Sequence, residues 1–184
     1  MSTPQSRSYP DALDALHERV APGRLVSSLA GHVLASPARL PGSRMMLGLG
    51  IASAGGEPDS AATDRFVVGL LDLHRDLLRQ TLRQVITHLE ARTSGGTTLL
   101  DKQLIQGELA DIAMSLSEDE AMPADRRATS PQARWEAHQR FVVLGRRLLR
   151  LLGASGFLAD GPGASLHLAE VTGSVYLHPA AEDD

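Results

Sequence analysis

Two features of the sequence could support binding chemistry, and both lie at the ends of predicted helices. Arg92 ends a long, periodically apolar helix, where its planar and permanently charged guanidinium suits a diphosphate. The run of small residues Gly153–Gly156 follows another such helix and would let a ligand approach the backbone closely. Each feature also has a structural interpretation, because the helix dipole favours a cation at a helix C-terminus and Gly153 could serve as a C-cap.

Other catalytic and metal-binding patterns are missing from the sequence. The chain has no cysteine, which excludes thiolate catalysis and cysteine-ligated zinc. Its 7 histidines form no HxxxH or HExxH pair, so we expect no metal site. The acidic run Ser117–Glu120 and the arginines Arg146, Arg147 and Arg150, which could hold a phosphate, are interpreted first as solvated helix faces.

The composition narrows the class of protein and its partners. Hydrophobic residues make up 42% of the 184 residues and charged residues 22%, which is ordinary for a globular domain. The net charge of -4 leaves no basic footprint for a nucleic acid. Apolar stretches are too short to cross a bilayer, and the N-terminus lacks the apolar core of a secretory signal. We therefore expect a cytoplasmic protein that binds neither nucleic acid nor membrane.

Leucine at helical spacing and an aromatic content of 3% predict an all-α fold. Ser130 followed by Pro131 is typical of a helix start. Because long helices joined by short loops pack as antiparallel neighbours, the pattern predicts an antiparallel four-helix bundle. The four predicted helices span residues 63–92, 99–122, 131–152 and 164–176.

The region before the bundle is less regular. A short helix is predicted after Pro10, a second helix over Leu25–Leu34, and an irregular lead-in over residues 44–62. The predicted organisation is an N-terminal helical or irregular extension (residues 1–62), the bundle (residues 63–179) and an acidic tail (residues 180–184).

Two ungapped blocks carry a family resemblance. The first, from Arg92 to Ala113, reads RTSGGTTLLDKQLIQGELADIA, and the second, from Leu149 to Pro162, reads LRLLGASGFLADGP and leads to Tyr176. Both resemble motifs in the C-terminal helical domain of acyl-CoA dehydrogenases. Matching positions in the first block are Arg92, Gly96, Leu99, Asp101, Gln103, Gln106, Leu109, Ala110, Asp111 and Ala113.

The resemblance implies a cofactor and partners. In that family the equivalents of Arg92, Gln103 and a Gly-Gly turn, here Gly153 and Ala154, contact FAD that is often held mainly by a neighbouring subunit. It thus implies a shared FAD and a homo- or hetero-oligomer with a fuller acyl-CoA dehydrogenase. Acyl-CoA or an acyl carrier protein would bring the acyl thioester.

The sequence also departs from the family where catalysis would occur. The catalytic glutamate falls on Leu177, and its alternative position on the first helix falls on Asp64 or Phe66, so no catalytic residue is assigned. Residues 1–62 are too few for the family's two preceding domains. Two hypotheses follow: an acyl-CoA dehydrogenase-like subunit that completes a partner's FAD site, or a non-enzymatic helical scaffold or protein-interaction module.

Overall fold

The computed structural model describes residues 8–46, 48–121, 130–158 and 161–179, and this part of the chain is mostly helical. Its α-helices are α1 (Tyr9–Val20), α2 (Ser60–Glu90), α3 (Gln103–Ala121), α4 (Pro131–Leu152) and α5 (Gly163–Tyr176). No helix among these residues is long and apolar enough to cross a membrane.

The short helix predicted after Pro10 and the four helices predicted from residue 63 onward are present, with boundaries shifted by their caps. Ser130 starts α4 as predicted, since its hydroxyl oxygen accepts the Ala133 N–H at 3.1 Å. Asp59 starts α2 slightly earlier than predicted, because its carboxylate accepts the Ala62 N–H at 3.0 Å. A 3-10 turn over Leu99–Asp101 delays the start of α3 to Gln103.

The predictions for residues 25–34 and 44–62 are wrong, because both segments contain strands. The predicted all-α class is roughly supported, since the described residues are mostly helical and the sheets are small. Three short strands pair antiparallel in the order β1-β3-β2, and β4 and β5 form a separate hairpin. The strands are β1 (His32–Ala35), β2 (Arg44–Met46), β3 (Leu49–Ser53), β4 (Thr93–Ser94) and β5 (Thr97–Thr98).

Glycines explain why these segments do not continue as helix or loop. Gly31 adopts φ +73, in the left-handed region, at the end of the turn that precedes β1, and residues 25–28 before that turn are not helical. A Cβ placed on Gly50 would lie 2.2 Å from Ser43 Oγ, so only glycine lets β3 pass this close to the turn before β2. A side chain at position 50 would therefore require Ser43 to move.

The chain forms two compact units by its internal contacts. In the described residues, the first unit comprises residues 8–73 and 167–179 and holds α1, the three-stranded sheet and parts of α2 and α5. The second unit, within residues 74–166, holds the remainder of α2, the hairpin, α3, α4 and the start of α5. The sequence-based division at residue 63 stays a prediction, and the acidic tail lies outside the described residues.

Two buried side chains organise the first unit by satisfying backbone groups. His17 Nδ1 accepts the Val26 N–H at 3.0 Å, which leaves the hydrogen on Nε2 to donate to the Leu34 carbonyl at 2.8 Å. The Tyr176 hydroxyl accepts the Leu34 N–H at 3.1 Å and donates to the Val26 carbonyl at 3.0 Å. The Phe66 ring stacks on His17 with centroids 4.4 Å apart. All four polar backbone groups of Val26 and Leu34 are thus paired inside the core.

Burial makes this arrangement sensitive to acid. Desolvation lowers the pKa of His17 from 6.5 to about 4, although the hydrogen bond to Leu34 opposes the shift. A proton on Nδ1 would also face the Val26 N–H, which the neutral ring accepts. The folded state therefore excludes a proton that the unfolded chain binds below pH 6.5.

We predict that the free energy of unfolding is insensitive to His17 above pH 7 and falls as the pH drops from about 6.5 towards about 4. One such histidine removes about 2 kcal/mol at pH 5. Urea unfolding of the wild type and of His17→Gln at pH 7 and pH 5 measures this. The variant should be less stable at pH 7 but should lose less on acidification; an equal loss in both would contradict the assignment.

Candidate functional site

Arg92 lies just beyond the end of α2, at the base of the β4–β5 hairpin. Its carbonyl accepts the Leu99 N–H at 2.7 Å, which closes the hairpin. Gly95 and Gly96 adopt φ +63 and +83 and form the tight turn between the strands. The Arg92 side chain is exposed, with Nη1 3.3 Å from His88 Nε2, and it contacts no carboxylate of the described residues.

Gln103 is the first residue of α3 and is exposed. The 3-10 turn before it is fixed by a capping box, in which the Asp101 carboxylate accepts the Thr98 N–H at 3.1 Å and the Thr98 hydroxyl accepts the Asp101 N–H at 3.3 Å. The hairpin and this turn therefore hold Arg92 and Gln103 on a short, well-defined connection.

Gly153 caps α4, which is the structural role that the sequence left open. It adopts φ +57, and its N–H donates to the carbonyls of Leu149 and Arg150. A Cβ built on Gly153 would meet no atom within 4 Å, so its outer side is open to an approaching group. Ala154 is exposed in the 3-10 turn that follows.

The later glycines of the second block have a packing role. A Cβ on Gly161 or on Gly163 would lie 2.7 Å from the Gly156 carbonyl oxygen. Gly156 itself is buried, and a Cβ there would lie 3.0 Å from Leu149 Cδ2. Close backbone approach in the turn between α4 and α5 explains these glycines without a ligand.

The hairpin connection between α2 and α3, taken with an ion pair far from it, shows that the two helices run antiparallel in the second unit. Arg75, near the middle of α2, donates from Nε to Asp119 Oδ2 at 2.7 Å, near the end of α3. Both side chains are buried, at 8% and 7% exposure. Arg79 pairs with Glu120 one turn further along α2. At the other end of this helix pair, the hairpin joins the end of α2 to the start of α3.

A second set of ion pairs aligns α4 with α3. Arg147 makes a bidentate contact with Glu108, with donor–acceptor distances of 2.7 and 2.9 Å, and the Arg147 hydrogen bond holds the pKa of Glu108 below its usual value. Arg140, two turns earlier in α4, lies 3.8 Å from Asp119 near the end of α3. Positions advancing along α4 therefore meet positions receding along α3, so these helices are also antiparallel.

This alignment brings the predicted site residues to one end of the second unit. Gln103 and Gly153 each lie roughly 8–9 Å beyond the Arg147–Glu108 contact, at about 1.5 Å rise per residue. Arg92 precedes Gln103 across the closed hairpin. We call the hairpin, the start of α3 and the turn after α4 the hairpin end. All four predicted residues lie there, and each is exposed.

The sequence prediction missed the apolar character of the hairpin end. Leu104, Phe157 and Leu158 are 89%, 72% and 60% exposed, more than the other large hydrophobic residues described. Leu104 follows Gln103, and the other two close the turn that begins at Gly153. The exposure of Leu104 could have been predicted from the sequence, since Leu104 falls outside the helical stripe of Leu109, Ile112 and Leu116, which is buried.

Of the residues that fall where the family places its catalytic base, only Asp64 carries a carboxylate, and it is exposed. Leu177 is apolar and 3% exposed, and Phe66 is fully buried against His17. Asp64 is exposed on the outside of α2 in the first unit. Comparison with models of known protein families and with curated proteins returns no match for this chain. The family resemblance therefore stays a prediction that rests on the two sequence blocks.

We predict that the buried and the exposed ion pair between α2 and α3 differ sharply in their effect on stability. Asp119→Ala leaves the Arg75 guanidinium buried without its carboxylate and should lower the free energy of unfolding by about 3–5 kcal/mol. Glu120→Ala, one residue further along α3, removes an exposed carboxylate and should cost about 1 kcal/mol or less. Urea unfolding at neutral pH compares the two, and equal losses would contradict the prediction.

Proposed function

We propose that this chain is an acyl-CoA dehydrogenase-like subunit without its own catalytic base, which completes the FAD site of a partner acyl-thioester dehydrogenase in the cytoplasm. The proposal includes the finer fold, an antiparallel four-helix bundle like the C-terminal domain of that family. One observation carries it: residues from two separate sequence blocks, Arg92, Gln103, Gly153 and Ala154, lie exposed at one end of one unit.

The hairpin end suits an anionic, partly apolar group. The Arg92 guanidinium contacts no described carboxylate, so its charge is available to a diphosphate. Gly153 leaves its outer side open, whereas Ala154 adds one methyl group where the family has a second glycine. When bound, the flavin would accept the hydride from an acyl thioester. The residues of this chain would bind and orient the cofactor, and the partner would supply the base.

A second candidate function is a protein-interaction module that binds no flavin. The exposure of Leu104, Phe157 and Leu158 favours it, because large apolar side chains exposed at one end of a unit are typical of contact with another molecule. The two candidates differ in the residues that bind the ligand. In the first, Arg92 binds a flavin, and in the second, the exposed apolar side chains of the hairpin end bind another protein.

We predict that Arg92→Ala weakens flavin retention by about tenfold in a complex of this chain with a co-expressed acyl-CoA dehydrogenase, because a hydrogen bond to a charged group is lost. Arg83→Ala is the matched control, since Arg83 is also an exposed arginine but lies within α2, two turns before the helix ends. Flavin absorbance per mole of complex, before and after dialysis, is the measurement.

The outcomes separate the two candidate functions. A colourless chain that captures no dehydrogenase, or flavin retention that Arg92→Ala leaves unchanged, would refute the flavin proposal. Loss of partner capture in Leu104→Asp with retention in Arg92→Ala would establish the interaction module instead.

A further inference from the structure

Residues Leu25–Ser28 lie beside β1 in the first unit and behave as an additional outer strand. Ser28 donates its N–H to the His32 carbonyl at 2.8 Å. Two residues earlier, Val26 comes opposite Leu34, and two side chains from the core bridge their backbones by hydrogen bonds. The segment therefore runs antiparallel to β1, and we call it the outer segment.

The outer segment presents backbone groups on the side that faces away from β1. Consecutive residues of an extended chain point their backbone groups to opposite edges, so those of Leu25 and Ser27 point away from β1. The Ser27 carbonyl accepts the Thr63 hydroxyl of α2 at 2.9 Å, which agrees with this direction. The Leu25 N–H and C=O and the Ser27 N–H form no hydrogen bond with any residue that the structure describes. These three groups are therefore open to a ligand.

A pocket of about 230 Å³ lies between this edge and the connection from β3 to α2. Gly55 and Gly56 form part of the opposite wall. A Cβ built on either glycine would meet no atom within 4 Å, so the wall leaves its backbone uncovered. The peptide groups of these glycines also form no hydrogen bond within the described part of the chain. The pocket is thus a cleft with an unpaired backbone segment on each side.

The lining of this pocket narrows the chemical class of its ligand. Among the described residues that line it are one arginine, Arg24, and two carboxylates, Glu57 and Asp59, which is not the single sign of charge that attracts a phosphate. The same residues include no aromatic side chain on which a nucleotide base could stack. Backbone donors and acceptors along a strand edge are complementary to a second extended backbone, as when a peptide adds a strand to a sheet.

We therefore propose that this pocket binds a short extended peptide segment of a partner protein, which pairs with Leu25 and Ser27 as an added strand. At a rise of about 3.3 Å per residue, the edge spans about 7 Å and pairs with about three peptide residues. Gly55 and Gly56 leave room for the peptide on its other side. The site lies in the first unit and the hairpin end in the second, so the inference goes beyond the proposed flavin function and does not depend on it.

The proposal is tested by following the backbone amide NMR signals of the full chain during two titrations. The first probe is an equimolar pool of acetylated tripeptide amides at millimolar concentration, and the second is pyrophosphate. The peptide pool should cause saturable shifts at Leu25, Ser27, Gly55 and Gly56, because these backbone groups would contact the peptide. Pyrophosphate should leave the same amides unshifted. No saturable shift at these residues with the peptides, or an equal shift with pyrophosphate, would overturn the proposal.

Two variants test the location and the backbone pairing. Gly55 has open surroundings and a φ outside the left-handed region, so Gly55→Leu should fold, as its urea midpoint would show, but should block the cleft and abolish the peptide shifts. Gly107→Leu is the matched control, since it makes the same change at an open glycine of the second unit and should bind as the wild type does. Ser27→Pro removes one donor without breaking an internal hydrogen bond and should weaken binding about tenfold. Wild-type affinity in Gly55→Leu would refute the proposed location.

Discussion

A buried contact between a guanidinium and a carboxylate fixes how the helices of the second unit align. Arg75 and Asp119 are both almost wholly inside, where an unpaired charge is far more costly than in water, so sliding α3 along α2 is opposed. The Arg75 guanidinium also lies over the Phe141 ring of α4, 5.6 Å from its centroid, which couples the third helix to the same point. The relative positions of the residues at the hairpin end therefore depend on this distant ion pair. None of the residues described at the hairpin end is both charged and buried.

In the first unit, neutral side chains rather than an ion pair satisfy the buried polar groups. Its short strands and the loop before them present backbone N–H and C=O groups to the core, where each must find a partner. His17 from α1 and Tyr176 from α5 supply those partners from opposite ends of the chain. Desolvation raises the pKa of Tyr176 and lowers that of His17, so both side chains stay neutral and keep these hydrogen bonds near neutral pH.

The helices could be predicted from the sequence, because the residues that specify each helix lie within it or next to its ends. The apolar period of α2 and the cap at Ser130 fall within a few residues of the ends they specify. The pairing of β1 with β3 could not be predicted in this way. β3 pairs with β1 across an intervening segment that includes β2, with His32 opposite Ser53. Gly50 leaves room for Ser43 by having no side chain, which a sequence pattern shows only as a loop residue. The predicted site residues were found through resemblance, and their common location follows only from the ion pairs.

The stability of a single chain does not explain why α3 carries large apolar residues on its exposed face. Leu104 and Met114 gain little from the interior of this chain, and Gly107 weakens the helix it occupies. A surface helix that served only its own fold would carry charged or amide side chains there, as α2 does at Gln80, Arg83 and Gln84. Within one chain the two helices differ in this respect while sharing the same buried ion pair. The difference shows that packing within this chain does not explain the exposed apolar residues of α3.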